Sequence, residues 1–230
     1  MIPPNQPPIR AQLPPKGTGV EQLVWLMAKL RAPEGCPWDR EQDHMTLRLH
    51  AIEEVYELVD SIEAGDDHEM VEELGDLLLQ VVFHAQLGKE RSVFDFDKVC
   101  RTLVDKLLRR HPHVFGNLKA DGVDEVLANW ETIKRAEKQG TKHERPSALD
   151  GIPRHLPALL RAEKLVKKAR KAGLLEKPSK SKFNKADLAK QLFELAAAAA
   201  QAAGVSAEAL LRAETRRREK AFRKSEKPAK

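Results

Sequence analysis

The chain has 230 residues, 41% of them hydrophobic and 33% charged, with a formal net charge of +5. That is long enough for a sizeable core and one or two domains. No uninterrupted apolar run reaches the roughly 18 residues that a membrane span requires, and Cys36 and Cys100, far apart and outside any CxxC, argue against a disulfide framework or a zinc site. A cytoplasmic protein with no membrane partner is expected.

Residues 1–17 read as a Pro-rich disordered arm, with six prolines before Lys16 and no apolar signal-peptide core. A first helix is predicted from about Val20 to Arg31, stopping before Pro33. Gly35-Cys36-Pro37-Trp38-Asp39 reads as a turn-rich loop. A second helix covers roughly Thr46 to Ala64 and ends at Gly65; Asp66 or Asp67 caps a third that continues to about Gly88. Asp95 starts a fourth, which reaches Arg110, and a loop through Gly116 and Gly122 precedes a fifth over about Val123–Gln139. After a linker at 141–153 come Leu156–Ala172, about Lys185–Ala203 with a stop at Gly204, and Ala207–Arg223 capped by Ser206. Residues 225–230 read as a tail. Almost nothing alternates with period two, so the fold is predicted to be all-α.

A faint internal repeat is present. Glu73-Leu-Gly-Asp76 and its helix find a weak counterpart near Asp187-Leu-Ala-Lys190, and Arg109-Arg110 find one in Arg216-Arg217-Arg218. Acidic residues cluster between Glu53 and Glu73, whereas the stretch from Arg161 to Lys185 and the segment from Arg212 onward are basic. A basic segment of this kind can touch nucleic acid, but a solvated helix face is the favoured reading and no nucleic-acid partner is expected.

The stretch that carries chemistry is Glu53-Glu54-Val55-Tyr56-Glu57 followed by Glu73-Leu74-Gly75-Asp76. At about 100° per residue, Glu53 and Glu57 lie one turn apart with Glu54 beside them, while Ile52, Val55, Val59 and Ile62 face nearly the opposite way. Alone, this is an ordinary amphipathic helix. The third helix changes the balance. Apolar residues from Met70 to Leu87 wrap nearly all round it, as in a buried helix, yet Glu73, Asp76, Gln80 and His84 fall on one line. Carboxylates on a buried helix are costly unless paired or metal-bound. The short turn at Gly65 makes the two helices antiparallel neighbours whose acidic clusters can face each other. A hard divalent cation, Mg²⁺ or Mn²⁺, relieves their repulsion, and this reading is preferred to a structural salt-bridge cluster. Phosphates also need cations, and Lys106, Arg109 and Arg110 on the fourth helix supply them. The same three suit a basic last turn favoured by the helix dipole, and their spacing does not choose between these roles.

Together with Gly35-Cys-Pro-Trp-Asp-Arg40, Lys106-Leu-Leu-Arg-Arg-His-Pro-His-Val-Phe115 and Asn129-Trp-Glu-Thr-Ile-Lys134, these motifs resemble the MazG family over roughly residues 19–140. The resemblance implies a helical bundle of the all-α NTP pyrophosphatase type, usually a homodimer, that cleaves nucleoside triphosphates to nucleoside monophosphate and pyrophosphate. It implies Glu54, Glu57, Glu73 and Asp76 as metal ligands, with Glu53 as a further ligand or the group orienting the attacking water. Lys106, Arg109 and Arg110 would hold phosphates, Trp130 and Lys134 would contact the nucleotide, and Trp38 is a further candidate base contact. Residues 18–140 would form the catalytic domain and 154–224 a degenerate second repeat. The second half departs from two-repeat members: it has no EExxE, and Lys190 stands where a ligand is required.

Two other readings make different demands on the sequence. A di-iron carboxylate bundle needs Glu-x-x-His from two helices, and only Glu41-x-x-His44 fits. A non-enzymatic helical protein using its basic half to bind nucleic acid would show salt-sensitive binding and no turnover.

Overall fold

The computed structural model describes residues 17–176, 184–201 and 206–226, and these contain helices and no strand. The expected stop at Gly204 and nearly all of the Pro-rich arm lie outside them. The helices are α1 (Gly19–Leu30), α2 (Pro37–Glu41), α3 (His50–Ala64), α4 (Asp67–Glu90), α5 (Phe96–Arg110), α6 (Pro112–Phe115), α7 (Val123–Ala136), α8 (Ala158–Lys171), α9 (Lys185–Gln201) and α10 (Ala207–Ser225). They fall into two compact units, Met1–Lys119 and Ala120–Lys230.

The first unit is built on the α3–α4 hairpin. Gly65 closes α3 at φ 69°, a left-handed conformation that glycine adopts without steric cost. Asp66 then caps α4 by accepting from the His68 and Glu69 amides. This two-residue joint leaves the helices no choice but to lie side by side. α1 is entered through a capping box, in which Glu21 accepts from the Thr18 amide at 2.7 Å and Thr18 Oγ1 accepts from the Glu21 amide at 3.3 Å. It packs on the C-terminal part of α4, where Met27, Leu47, Val82, Phe83 and Leu87 form the core.

Four expectations need correction here. The segment expected to be only a loop contains α2, begun by Pro37 at the first helical position, where its missing N–H costs nothing. The 111–116 stretch likewise holds the short α6. α3 begins at His50 rather than Thr46, because Asp43 and Thr46 close a reciprocal turn: Asp43 Oδ1 accepts from the Met45 and Thr46 amides, and Thr46 Oγ1 accepts from the Asp43 amide. Finally, α4 is not buried all round. Val71 is 73% exposed, and Leu74, Leu78 and Val81 are also exposed. α3 covers one face along the hairpin, but α1 packs on the C-terminal part, so Val71, Leu74, Leu78 and Val81 are left uncovered by the described residues of this unit.

Arg31 ties the α2 segment to the helices. Its guanidinium, 9% exposed, makes two 2.7 Å bonds to the Glu90 carboxylate and donates to the Gln42 and Asp39 carbonyls. Gly35 permits the tight return of this segment, since a Cβ there would collide with the Leu30 carbonyl, to which the Cys36 amide donates at 2.7 Å.

In the second unit α8 and α10 run parallel. Glu208 near the start of α10 accepts from the Ala158 amide at the start of α8, while Phe222 near its end packs with Leu165 and Ala169. Leu149, Leu165 and Ala169 form the core, and Arg161 pairs with Glu219 in the buried interface. α10 continues to Ser225, and Glu226 accepts from Ser147 Oγ and the Ala148 amide, each at 2.6 Å. Leu188, Leu192, Phe193 and Leu195 of α9 are exposed.

Candidate metal centre

The α3–α4 hairpin brings together carboxylates that lie 16 to 19 residues apart in sequence. One carboxylate oxygen each from Glu54, Glu57 and Glu73 lie within 4.8 Å of one another. α3 supplies the first two from successive positions around one turn, and α4 supplies Glu73 from across the hairpin. Asp76, one turn further along α4, is exposed, but its charge acts on both Glu54 and Glu73. Among the described residues no Lys or Arg forms an ion pair with any of these four.

The electrostatic consequences follow directly. Burial, then the charges of Asp76 and Glu57, push the Glu54 carboxyl above the usual range; burial, then Glu57, Asp76, Glu54 and Glu69, do the same to Glu73. One influence opposes the shift at Glu54, the bond donated by Gln80 Nε2 at 3.3 Å. Glu73 Oε2 is buried and has no hydrogen-bond partner among the described residues. A buried carboxylate oxygen without a donor, beside two further carboxylates and no cation, is the environment that a hard divalent ion with oxygen ligands satisfies. The residues present therefore fit a divalent metal.

Other residues singled out by the sequence lie elsewhere. Glu53 is outside the group of three: it is exposed and lies 3.7 Å from His50. Trp38 on α2 is half exposed and sits edge-on to His50, with ring centroids 6.1 Å apart, beside the first turn of α3. Lys106, Arg109 and Arg110 occupy the last two turns of α5. Trp130 and Lys134 belong to the second unit, where the Lys134 ammonium lies 5.4 Å from the Trp130 ring centroid and 3.5 Å from Glu131. Lys190 is exposed and 3.8 Å from Glu194. No group of three metal-ligating residues occurs in the second unit among the described residues. A second acidic group, His68, Glu69 and Glu72, is fully exposed at the start of α4.

Two features were not singled out as site elements. Gln80 was visible on the polar line of α4 but not as the donor to Glu54. His44 and His84 approach Nδ1 to Nδ1 at 2.8 Å with nearly parallel rings. Forty residues separate the two histidines, and no local pattern predicts that they meet.

An all-α hairpin whose opposed carboxylates have no Lys or Arg partner among the described residues is suited to a divalent cation, and comparison with known proteins places the fold more narrowly. Residues 42–115 match the family described as the MazG nucleotide pyrophosphohydrolase domain. The chain is 49% identical over 156 residues to the nucleoside triphosphate pyrophosphohydrolase of Escherichia coli (strain K12), covering 67% of this chain and 58% of that protein. It is 47% identical over 153 residues to the nucleoside triphosphate pyrophosphohydrolase/pyrophosphatase MazG of Thermotoga maritima, covering 66% of this chain and 57% of that one. A 26.1 kDa protein of Streptomyces cacaoi, described as uncharacterized and in the blaB 3' region, is 43% identical over 199 residues, covering 86% of this chain and 78% of that protein. The chain belongs to the MazG family. It spans a little over half the length of the Escherichia coli and Thermotoga maritima relatives.

Proposed function

We propose that this chain hydrolyses nucleoside triphosphates to nucleoside monophosphate and pyrophosphate at the α3–α4 carboxylates. The observation that carries the reading is the convergence of Glu54, Glu57 and Glu73 within 4.8 Å, with Glu73 Oε2 buried and without a donor. Glu54, Glu57, Glu73 and Asp76 hold Mg²⁺, with Mn²⁺ as a substitute. When bound, the cation supplies Lewis-acid charge neutralisation at the phosphates and lowers the pKa of water. Glu53, exposed one position before the ligand pair, orients the attacking water. Lys106, Arg109 and Arg110 neutralise the negative charge that develops on the phosphoryl oxygens. Trp130 and Lys134 are assigned to the nucleotide by motif alone, and Trp38, beside the start of α3, is the candidate contact to the base.

The cleavage point follows the names of the relatives, since carboxylate spacing does not choose which phosphorus is attacked. Residues 18–140 form the catalytic domain on this reading, and 154–224 a degenerate repeat without a metal site of its own. A homodimer in the cytoplasm is the working form. The exposed apolar residues Val71, Leu74, Leu78 and Val81 of α4 and Ile52, Val55, Val59 and Ile62 of α3 support a second copy as the covering partner. None of the described helices is long and apolar enough to cross a membrane. The test is product analysis: incubation with Mg²⁺ and a panel of NTPs and dNTPs should yield monophosphate and pyrophosphate in equal amounts. Nucleoside diphosphate and phosphate as the main products would refute it.

A further inference from the structure

Gln80 is 7% exposed on the one stretch of α4 whose neighbours Leu79, Val82 and Phe83 pack toward or into the apolar core. A buried primary amide there brings two donors and a two-lone-pair acceptor that an apolar side chain of similar size would not. The structure satisfies one of these functions. Nε2 donates to Glu54 Oε1 at 3.3 Å, while Oε1 is buried with no partner among the described residues. When Glu54 is ionised, as a metal ligand must be, its carboxylate only accepts, so the nitrogen of the amide faces it. Oε1, on the same planar amide, is left as a buried acceptor that none of the described residues uses. Packing does not account for a glutamine in this position, and a site beside it does.

We propose that Gln80 is a positioning residue of the metal centre: Nε2 holds Glu54 in its ligating orientation, and Oε1 offers an acceptor to water entering the centre. The inference rests on the metal reading given above. Groups that orient metal ligands affect affinity without touching the ion, and their loss weakens binding by about 10–100-fold. A glutamine also holds Glu54 without adding a charge, so it takes one lone pair of the carboxylate and leaves the others to the cation. A lysine or arginine in its place would neutralise Glu54 and displace the ion.

The test uses the full chain and Mn²⁺, with free Mn²⁺ read by electron paramagnetic resonance and metal-free melting read by circular dichroism. Gln80→Leu should bind Mn²⁺ about 10–100-fold more weakly than the unmodified chain, with its metal-free melting temperature little changed, because the partly exposed Glu54 can take water in place of Nε2. A folded Gln80→Leu chain with unmodified affinity overturns the inference, and a lowered metal-free melting temperature beside that affinity assigns Gln80 to packing. If Gln80→Leu does not fold, Gln80→Asn decides by the same criterion, since its amide is drawn back from Glu54 by one methylene. Asp76→Ala separates the two layers of the argument. Should the unmodified chain show no Mn²⁺ binding that Asp76→Ala removes, the metal reading fails and this inference with it.

Discussion

The α3–α4 hairpin and the α8–α10 pair are both helical, both rich in glutamate, and electrically opposite. In the second unit nearly every carboxylate of α10 is matched. Glu208 pairs with Arg212, Glu214 with Arg217 and Arg218, and Glu219 with Arg161 and Arg223, while Asp150 in the preceding loop takes the other side of Arg223. Arg217 and Arg218 hold the Glu214 carboxyl down at about 2. In the hairpin Glu54, Glu57 and Glu73 face one another with no such partner, and Glu54 and Glu73 are pushed upward instead. Matched carboxylates stabilise a scaffold, whereas unmatched ones carry a free-energy deficit that a bound cation or protonation relieves.

The comparison breaks most visibly at the ligands. Glu57→Ala should reduce hydrolysis by about 10²–10³-fold, the size of losing one preorganised electrostatic group, while leaving the metal-free fold intact because a repulsive charge has gone. A steady-state rate within about tenfold of the unmodified chain would remove Glu57 from the site. The next effect belongs to the other unit. Arg161→Ala should lower stability by about 3 kcal/mol, since it breaks a buried pair and leaves Glu219 with Arg223 alone, without changing Mn²⁺ affinity. Denaturant melts of the two proteins check it.

The pH dependence sharpens the contrast further. Glu54 and Glu73 have carboxyls raised in the fold, so the metal-free native state holds protons that the unfolded chain has released. Stability should therefore fall as pH rises from the ordinary glutamate range through the raised values, and saturating Mg²⁺ should abolish the fall. Glu90, held low by Arg31, works with the opposite sign: its contribution is present above the ordinary range and is lost as pH falls through its depressed value. Melting temperatures across acid pH, with and without Mg²⁺, in the unmodified chain and in Glu90→Gln, resolve the two. The smallest effect is expected at Lys190→Ala, where an exposed i,i+4 pair contributes about 0.3–0.5 kcal/mol and hydrolysis should not move. A substantial loss of turnover there would mean that the second half carries chemistry.

Local rules made much of this legible in sequence. Gly65, Asp66, Asp95 and Ser206 mark their helix ends because capping depends on one or two residues. The carboxylate constellation was readable because Glu73 and Asp76 interrupt an otherwise apolar helical pattern on one line, although the first half of α4 is exposed rather than buried. Non-local geometry was hidden. Nothing in the spacing distinguishes Glu53, which faces His50, from Glu54, which faces α4, since both lie on the same wet side of α3. The Arg31 clamp joins residues 59 apart. The full apolar wrap of α4 suggested burial, yet the described residues of its unit do not cover it completely, because hydrophobicity says that a surface seeks a partner and not where the partner comes from.

The central claim is that the unmatched carboxylates of the hairpin are a divalent-cation site. Thermal unfolding of the full chain and of Asp76→Ala, each titrated with Mg²⁺ at fixed protein concentration, tests it most directly. A cation that binds only the native state should stabilise the unmodified chain by about 2.7 kcal/mol at a hundredfold excess over its dissociation constant, and Asp76→Ala should show little of that gain while melting cooperatively without metal. An equal Mg²⁺ response in both proteins would contradict the account.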